Sequence, residues 1–267
     1  MKKIVFTLLF LFTYNFIFSQ EKSIFSASKM PLGEFEDGEF FEFKTSFLFL
    51  TAFINLEVKE KTLNNIPVYE ITGLGRTAGI ARLFFKVDDF YQSYFDLQKG
   101  VPLKFIRNIN ENGYTRDVEI TFNHKELTAT VFDKEKNTRE NFSIYSHSQD
   151  LISLLFYLRR FYDFKKIKKN EKIIINSFFD NVNYPFEITY LGKEVIKTKF
   201  GKIECLKFTP KVIKGRVFKK EDALTVWLSN DKNRIPLRFE AKLSVVSLRA
   251  DLNKFSKLKY PFKISVN

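Results

Sequence analysis

Apolar and polar residues change places at every step along much of this chain. Leu237, Phe239, Ala241 and Leu243 alternate with Arg238, Glu240 and Lys242. Val118, Ile120 and Phe122 alternate with Glu119 and Thr121, and Phe186, Ile188 and Tyr190 with Glu187 and Thr189. Successive side chains of a strand point to opposite faces, so period two means strands with one buried face. Turn residues punctuate these runs: Asn64-Asn65, Lys99-Gly100, Asn112-Gly113, Asn123-His124, Gly192, Gly201 and Asp231 to Asn233. Asn-Gly between apolar runs marks a two-residue hairpin, because both residues accept positive φ. Strands joined by such short turns run antiparallel, so most of the chain reads as an antiparallel meander. Its 33 Phe and 11 Tyr suit strands around a large apolar interior.

One segment departs from this period. In SHSQDLISLLFYLRRFYDF, Ser146 to Phe164, the residues Leu151, Leu154, Leu155 and Leu158 follow i, i+3, i+4, i+7. This spacing predicts a helix over 148–162, with Ser148 as N-cap, Asp150 in the first turn, and Arg159 and Arg160 complementing the dipole at the other end. Ile152 and Phe156 widen the apolar stripe, so more than one surface should bury the helix. It is expected to lie on the concave face of a curved sheet. A linker, Lys165 to Asn170, follows it.

The helix separates two β-rich parts, about 33–145 and 171–255. Each holds an aromatic-ended strand, a polar turn and a return strand: Pro102-Leu103-Lys104-Phe105 in one, Pro236-Leu237-Arg238-Phe239 in the other. Gly73-Leu74-Gly75-Arg76 and Gly215-Arg216 precede them in corresponding places. Either the chain contains a diverged internal duplication or a meander reuses similar hairpins. In both cases Asp231 to Asn233 reads as a turn and not a catalytic cluster, because its counterpart Asp96 to Gly100 keeps the turn without those side chains. The fold class expected is mainly β: a curved antiparallel sheet, half-barrel or barrel-like, with one central helix packed on it.

The first residues, MKKIVFTLLFLFTYNFIFSQ, have a basic start, an apolar run and a small residue, Ser19, before Gln20. That is a secretory signal peptide over 1–19. Thr13, Tyr14 and Asn15 interrupt a run already shorter than the ~20 residues of a membrane span. No cysteine stands near the cleavage point for lipid attachment. A single β-rich domain, 20–267, is then expected in the periplasm or outside the cell. Cys205 is the one cysteine, which excludes an internal disulfide and a cysteine-rich zinc site. The net charge of +13 suits an anionic membrane surface or a solvated face, and export argues against nucleic acid.

Gly75 to Gly79 is followed by LFFKVDDFYQSYFD, then come the QDLISLLFYLR helix, FFDNVNYPFEITYLGKE at Phe178 to Glu194, and KFGKIECLKFTP with GRVF and VWLSNDKNRIPLRFEAKL after it. Together these stretches resemble an exported bacterial family, domain of unknown function 3108. The resemblance covers nearly all of the mature chain and implies export and a β-rich fold, with no assigned activity or catalytic residues to carry over. In architecture the chain is also similar to the periplasmic lipoprotein-carrier half-barrels, whose apolar cavity holds acyl chains.

The candidate sites are few. His124 belongs to a turn and His147 precedes the helix, in no metal-ligand spacing, so no metal or other cofactor is expected. Cys205 sits in plain strand sequence. Asp88 and Asp89 are neighbours in a strand and should face opposite ways, so they cannot both serve one site. Gly73, Gly75 and Gly79 lack the Lys-Ser/Thr of a phosphate loop and suit a bulge or a close backbone approach. A ligand would meet the apolar helix face at Leu151, Leu155, Phe156 and Leu158, and an acidic head group could meet Arg76 and Arg216. The reading is a non-enzymatic binding or carrier protein for a lipid or acylated protein. The alternatives are an envelope assembly factor that binds another protein and, behind it, an enzyme acting on polysaccharide. A cavity under the helix separates the first from the second.

Overall fold

A computed structural model describes residues 34–47, 50–212, 220–242 and 247–264. Residues 1–19, read from sequence as a signal peptide, and Arg216 lie outside these residues. Fourteen strands form one antiparallel sheet that runs across both parts of the chain. They are β1 (Phe40–Phe47), β2 (Leu50–Leu63), β3 (Ile66–Ala78), β4 (Val87–Asp96), β5 (Pro102–Glu111), β6 (Tyr114–Asn123), β7 (Thr128–Asp133), β8 (Thr138–Ser143), β9 (Lys172–Phe179), β10 (Val182–Thr198), β11 (Gly201–Pro210), β12 (Leu224–Ser229), β13 (Pro236–Lys242) and β14 (Ser247–Ser256). Short helix α1 (Ala81–Phe84) joins β3 to β4, and α2 (Ser153–Phe161) follows β8.

Two meanders share the sheet, β8 back to β1 and β14 back to β9, and they join where β1 pairs with β14. The sheet curls until its free ends approach, with the chain between β8 and α2 in the seam. There Gln149 makes one parallel bridge to Ser177 of β9, and the Asn183 side chain bonds Ser143 O and Tyr145 N–H. The result is an unclosed barrel with α2 inside it.

The turns follow the sequence signals. Asn64-Asn65, Asn112-Gly113 and Asp180-Asn181 each form a two-residue connection at positive φ. Gly192 does not turn the chain. It sits at φ +113 in a bulge of β10, where the register to β11 slips between Tyr190 and Gly192.

The paired hairpins β4–β5 and β12–β13 share one construction. Each has a register shift just before the turn and pairs the last apolar residue with proline, Phe95 with Pro102 and Leu228 with Pro236. In each, an aspartate Oδ1 accepts two backbone N–H groups: Asp96 from Gln98 and Lys99, Asp231 from Asn233 and Arg234. This is the Asx geometry that makes aspartate a turn residue.

Both turns grip α2. Gly100, at φ +67, lies so close to Phe161 that a Cβ there would overlap its ring. Arg234, at the matching left-handed position with φ +51, donates from Nη1 to the carbonyls of Arg159 and Tyr162. Those are carbonyls at the helix C-terminus, which otherwise lack intrahelical donors.

The helix is shorter than the 148–162 its spacing predicts. Asp150, not Ser148, holds its start: Oδ1 accepts the N–H groups of Ile152 and Ser153, and the Ser153 hydroxyl accepts the Asp150 N–H. His147 takes φ +57 and Gln149 is committed to β9, so the backbone before Asp150 cannot be helical. Every residue of α2 except Leu155 is buried. Arg159 and Arg160, read from sequence as dipole partners, are buried too. Arg159 pairs with Glu39 at 2.6 Å, both almost fully enclosed, and donates to Asn233 O.

Candidate functional site

The interior is full at one end and hollow at the other, and the register explains why. Around α2 the core is aromatic: Phe35 packs edge-on against both Tyr69 and Phe156 at 5.2 Å, and Phe95 against Phe161 at 6.4 Å. Toward the ends where β1 meets β2 and β3 meets β4, the inward positions carry small residues. Thr77 stands opposite Ala52, Ala52 opposite Thr45, and Thr45 opposite Ala250. One layer nearer the helix, Gly75 stands opposite Ile54 and Asp89. Short side chains in adjacent strands cannot meet across the barrel, so space remains.

Among the described residues, that space includes two chambers. The inner one, about 150 Å³, lies between α2 and the sheet and has an entirely apolar lining that includes Phe43, Leu56, Phe186, Phe208 and Val226. Leu151, Leu155, Phe156 and Leu158, the helix residues singled out from sequence, all line it. The outer chamber, about 130 Å³, is lined by Thr45, Ala52, Val87, Asp89, Ala241 and Leu248 among others. Ile54, Gly75, Leu224 and Phe239 border both.

The two β3 glycines do different work. At Gly73 a Cβ would stand 3.0 Å from Ile152 Cδ1, so this glycine admits the close approach of the helix. At Gly75 it would meet only Asp89 Cβ, at 3.7 Å, so this glycine leaves the passage between chambers open. β3 has no bulge in its pairing with β2 or β4, so only the close-approach expectation holds, at Gly73. Arg76 is exposed on β3 and borders the outer chamber. The other proposed head-group residue, Arg216, is outside the described residues.

Asp88 and Asp89 face opposite ways. Asp88 is outside, forked by Arg82 at 2.7 and 2.8 Å. Asp89 is inside, 7 % exposed, and accepts the Asn110 N–H at 3.2 Å. Burial pushes its carboxyl up to about 7, and the nearby Glu111 charge adds to this. Beyond it, Arg107 reaches Asp180 in the β9–β10 turn at 2.6 Å and stacks over Phe179. Burial also pushes the Glu111 and Asp180 carboxyls up, against the pull of Arg107. Sequence reasoning missed this cluster, because Arg107 and Asp180 are brought together only by the curl of the sheet.

The remaining candidates are structural. Cys205 is buried, its thiol pushed up to about 12 by desolvation. His124 Nε2 bonds Pro102 O, and burial lowers its pKa. Among the described residues no group of acidic, His and Cys side chains could hold a metal ion.

A family model described as "Protein of unknown function (DUF3108)" matches residues 42–253. Among solved structures, the chain is similar to the crystal structure of a beta-barrel-like protein of domain of unknown function DUF1849 from Brucella abortus. The TM-score is 0.53 at 9 % identity, over 83 % of this chain and 98 % of that one. This likeness concerns the fold. No curated protein matches the chain.

Proposed function

We propose that this chain, which belongs to the DUF3108 family of proteins of unknown function, is an exported, non-enzymatic carrier for an apolar or amphipathic ligand of the cell envelope. The observation that carries the reading is the inner chamber, a void of about 150 Å³ with no polar residue in its lining. Apolar spaces of roughly this size take up small hydrocarbons. Interiors are otherwise close-packed, so a void next to so many aromatic residues is an unusual use of the core. The end of a hydrocarbon chain, from a lipid or an acylated protein, is what a space of this size takes. Its polar end would reach the outer chamber, where Thr45 and Asp89 supply hydrogen-bonding groups. At neutral pH a carboxyl held near 7 is in part protonated and can donate as well as accept.

The test is native mass spectrometry of the chain from Gln20 to Asn267, purified from a periplasm, beside lipid extraction of the same sample. A stoichiometric lipid is expected in the wild type. Gly75→Leu places a side chain between the chambers on backbone that tolerates one, and the folded variant should lose the lipid. A wild type that is empty and fails to bind an added fluorescent polyene fatty acid would sink the carrier reading. Crosslinking for a protein partner, the assembly-factor alternative, would then come next.

A further inference from the structure

We infer that the barrel end carrying the β3–β4 and β5–β6 connections docks on a lipid bilayer with anionic headgroups. Among the described residues, five large hydrophobics are more than half exposed, and four of them stand at this end: Ile80 (57 %), Leu83 (81 %), Phe84 (69 %) and Tyr114 (55 %). Such a concentration marks an interaction surface, where scattered single residues would not.

The tip is held, not loose. Ala81 is fully buried beneath it. The Arg82 guanidinium donates to Thr77 O and Val87 O across the base of the tip while forking onto Asp88. The Asn112 N–H donates to Lys86 O, which ties the β5–β6 turn to the same base. Leu83 and Phe84 are thereby presented outward.

Two features select a bilayer as the occupant. The first is charge. Residues 76–89 and 110–116 carry Arg76, Arg82, Lys86 and Arg116 against Asp88, Asp89 and Glu111, a small positive excess, on a chain of net charge +13. A second copy with the same sign would be repelled, whereas an anionic leaflet attracts it and accepts Leu, Phe and Tyr at its interface. The second is continuity. Val87 and Arg76 of this end also line the outer chamber, so a docked tip would bring the chamber to the membrane surface. A hydrocarbon chain could then pass between bilayer and protein with little exposure to water. That purpose rests on the carrier reading; the docking itself does not.

The experiment is sedimentation of the full mature chain with phosphatidylcholine vesicles containing one quarter phosphatidylglycerol. In parallel, the fatty-acid probe is titrated without vesicles. Wild type should bind the vesicles, less at high salt. Leu83→Ser with Phe84→Ser should lower the partition about tenfold or more, because two large apolar groups no longer enter the interface. Both positions are mostly exposed, so the variant should stay folded, as its unfolding midpoint checks, and its probe binding should remain. Gly75→Leu should behave in the opposite way, keeping the vesicles and losing the probe. Equal sedimentation of wild type and the double variant overturns the inference. So does a wild type that ignores the vesicles, including one that forms dimers which the double variant dissolves. Loss of probe binding in every protein would count against the carrier reading alone.

Discussion

Replacing Asp89 by Asn isolates one buried charge. The carboxyl sits on β4 at 7 % exposure, with Oδ1 accepting the Asn110 N–H. In the unfolded chain it ionises near pH 4; in the folded chain burial holds its proton to about 7. Between those values the folded state binds more protons, so this group's contribution to stability falls as pH rises from about 4 to about 7. Three pH units at 1.36 kcal/mol each set a ceiling of about 4 kcal/mol. Asp89 borders the outer chamber, and water reaching it from there lowers the expected effect to about 2–3 kcal/mol. Asparagine has the same shape, keeps an oxygen for Asn110 and carries no charge. Asp89→Asn should therefore match wild type near pH 4 and exceed it by about 2–3 kcal/mol at pH 8. The assay is urea unfolding across that range, read by the fluorescence of the single tryptophan, Trp227. Asp150 and Asp180 also carry raised pKa values, but they contribute to both curves and largely cancel in the difference, whereas Glu111, whose charge acts on Asp89, is part of the effect measured. Parallel curves for the two proteins would refute the reasoning, because Asp89 would then ionise in the folded state as it does in water.

Two further outcomes follow from the grip on α2. Arg159→Met leaves the Glu39 carboxylate buried without its partner and should cost about 3–5 kcal/mol, whereas Arg159→Met with Glu39→Leu should return to within about 2 kcal/mol of wild type; a double-mutant cycle by denaturant unfolding measures both. Gly100→Ala meets both a left-handed φ and the Phe161 ring, so a loss of about 2–4 kcal/mol is expected in the same unfolding assay, and an unchanged midpoint would mean that the turn does not bear on the helix.

Much of this protein is written locally. Alternation along β6, β10 and β13 fixed those strands, Asn-Asn and Asn-Gly fixed turns, and the Leu151 to Leu158 spacing identified the helix and the face that lines the inner chamber. These signals are legible because periods of two and 3.6 residues are set by neighbours in the chain. The matched turns of Asp96 and Asp231 were legible for the same reason. Where the helix begins was not, since Gln149 is drawn out of helical conformation by Ser177 of a later strand.

The site itself needed the tertiary structure. Glu39 and Arg159 are 120 residues apart, and Arg107 and Asp180 are 73 apart. Nothing in either neighbourhood points to the other. The chambers are less legible still. Thr45, Ala52, Gly75 and Ala250 are ordinary small residues in ordinary strands, and any one of them alone would be covered by a larger neighbour. The period-two pattern settles which residues of a strand share a face. Only strand register decided that the small ones stand side by side across adjacent strands, and only the curl of the sheet decided what stands across from them. A cavity is a property of several chain segments at once, so no local period can encode it.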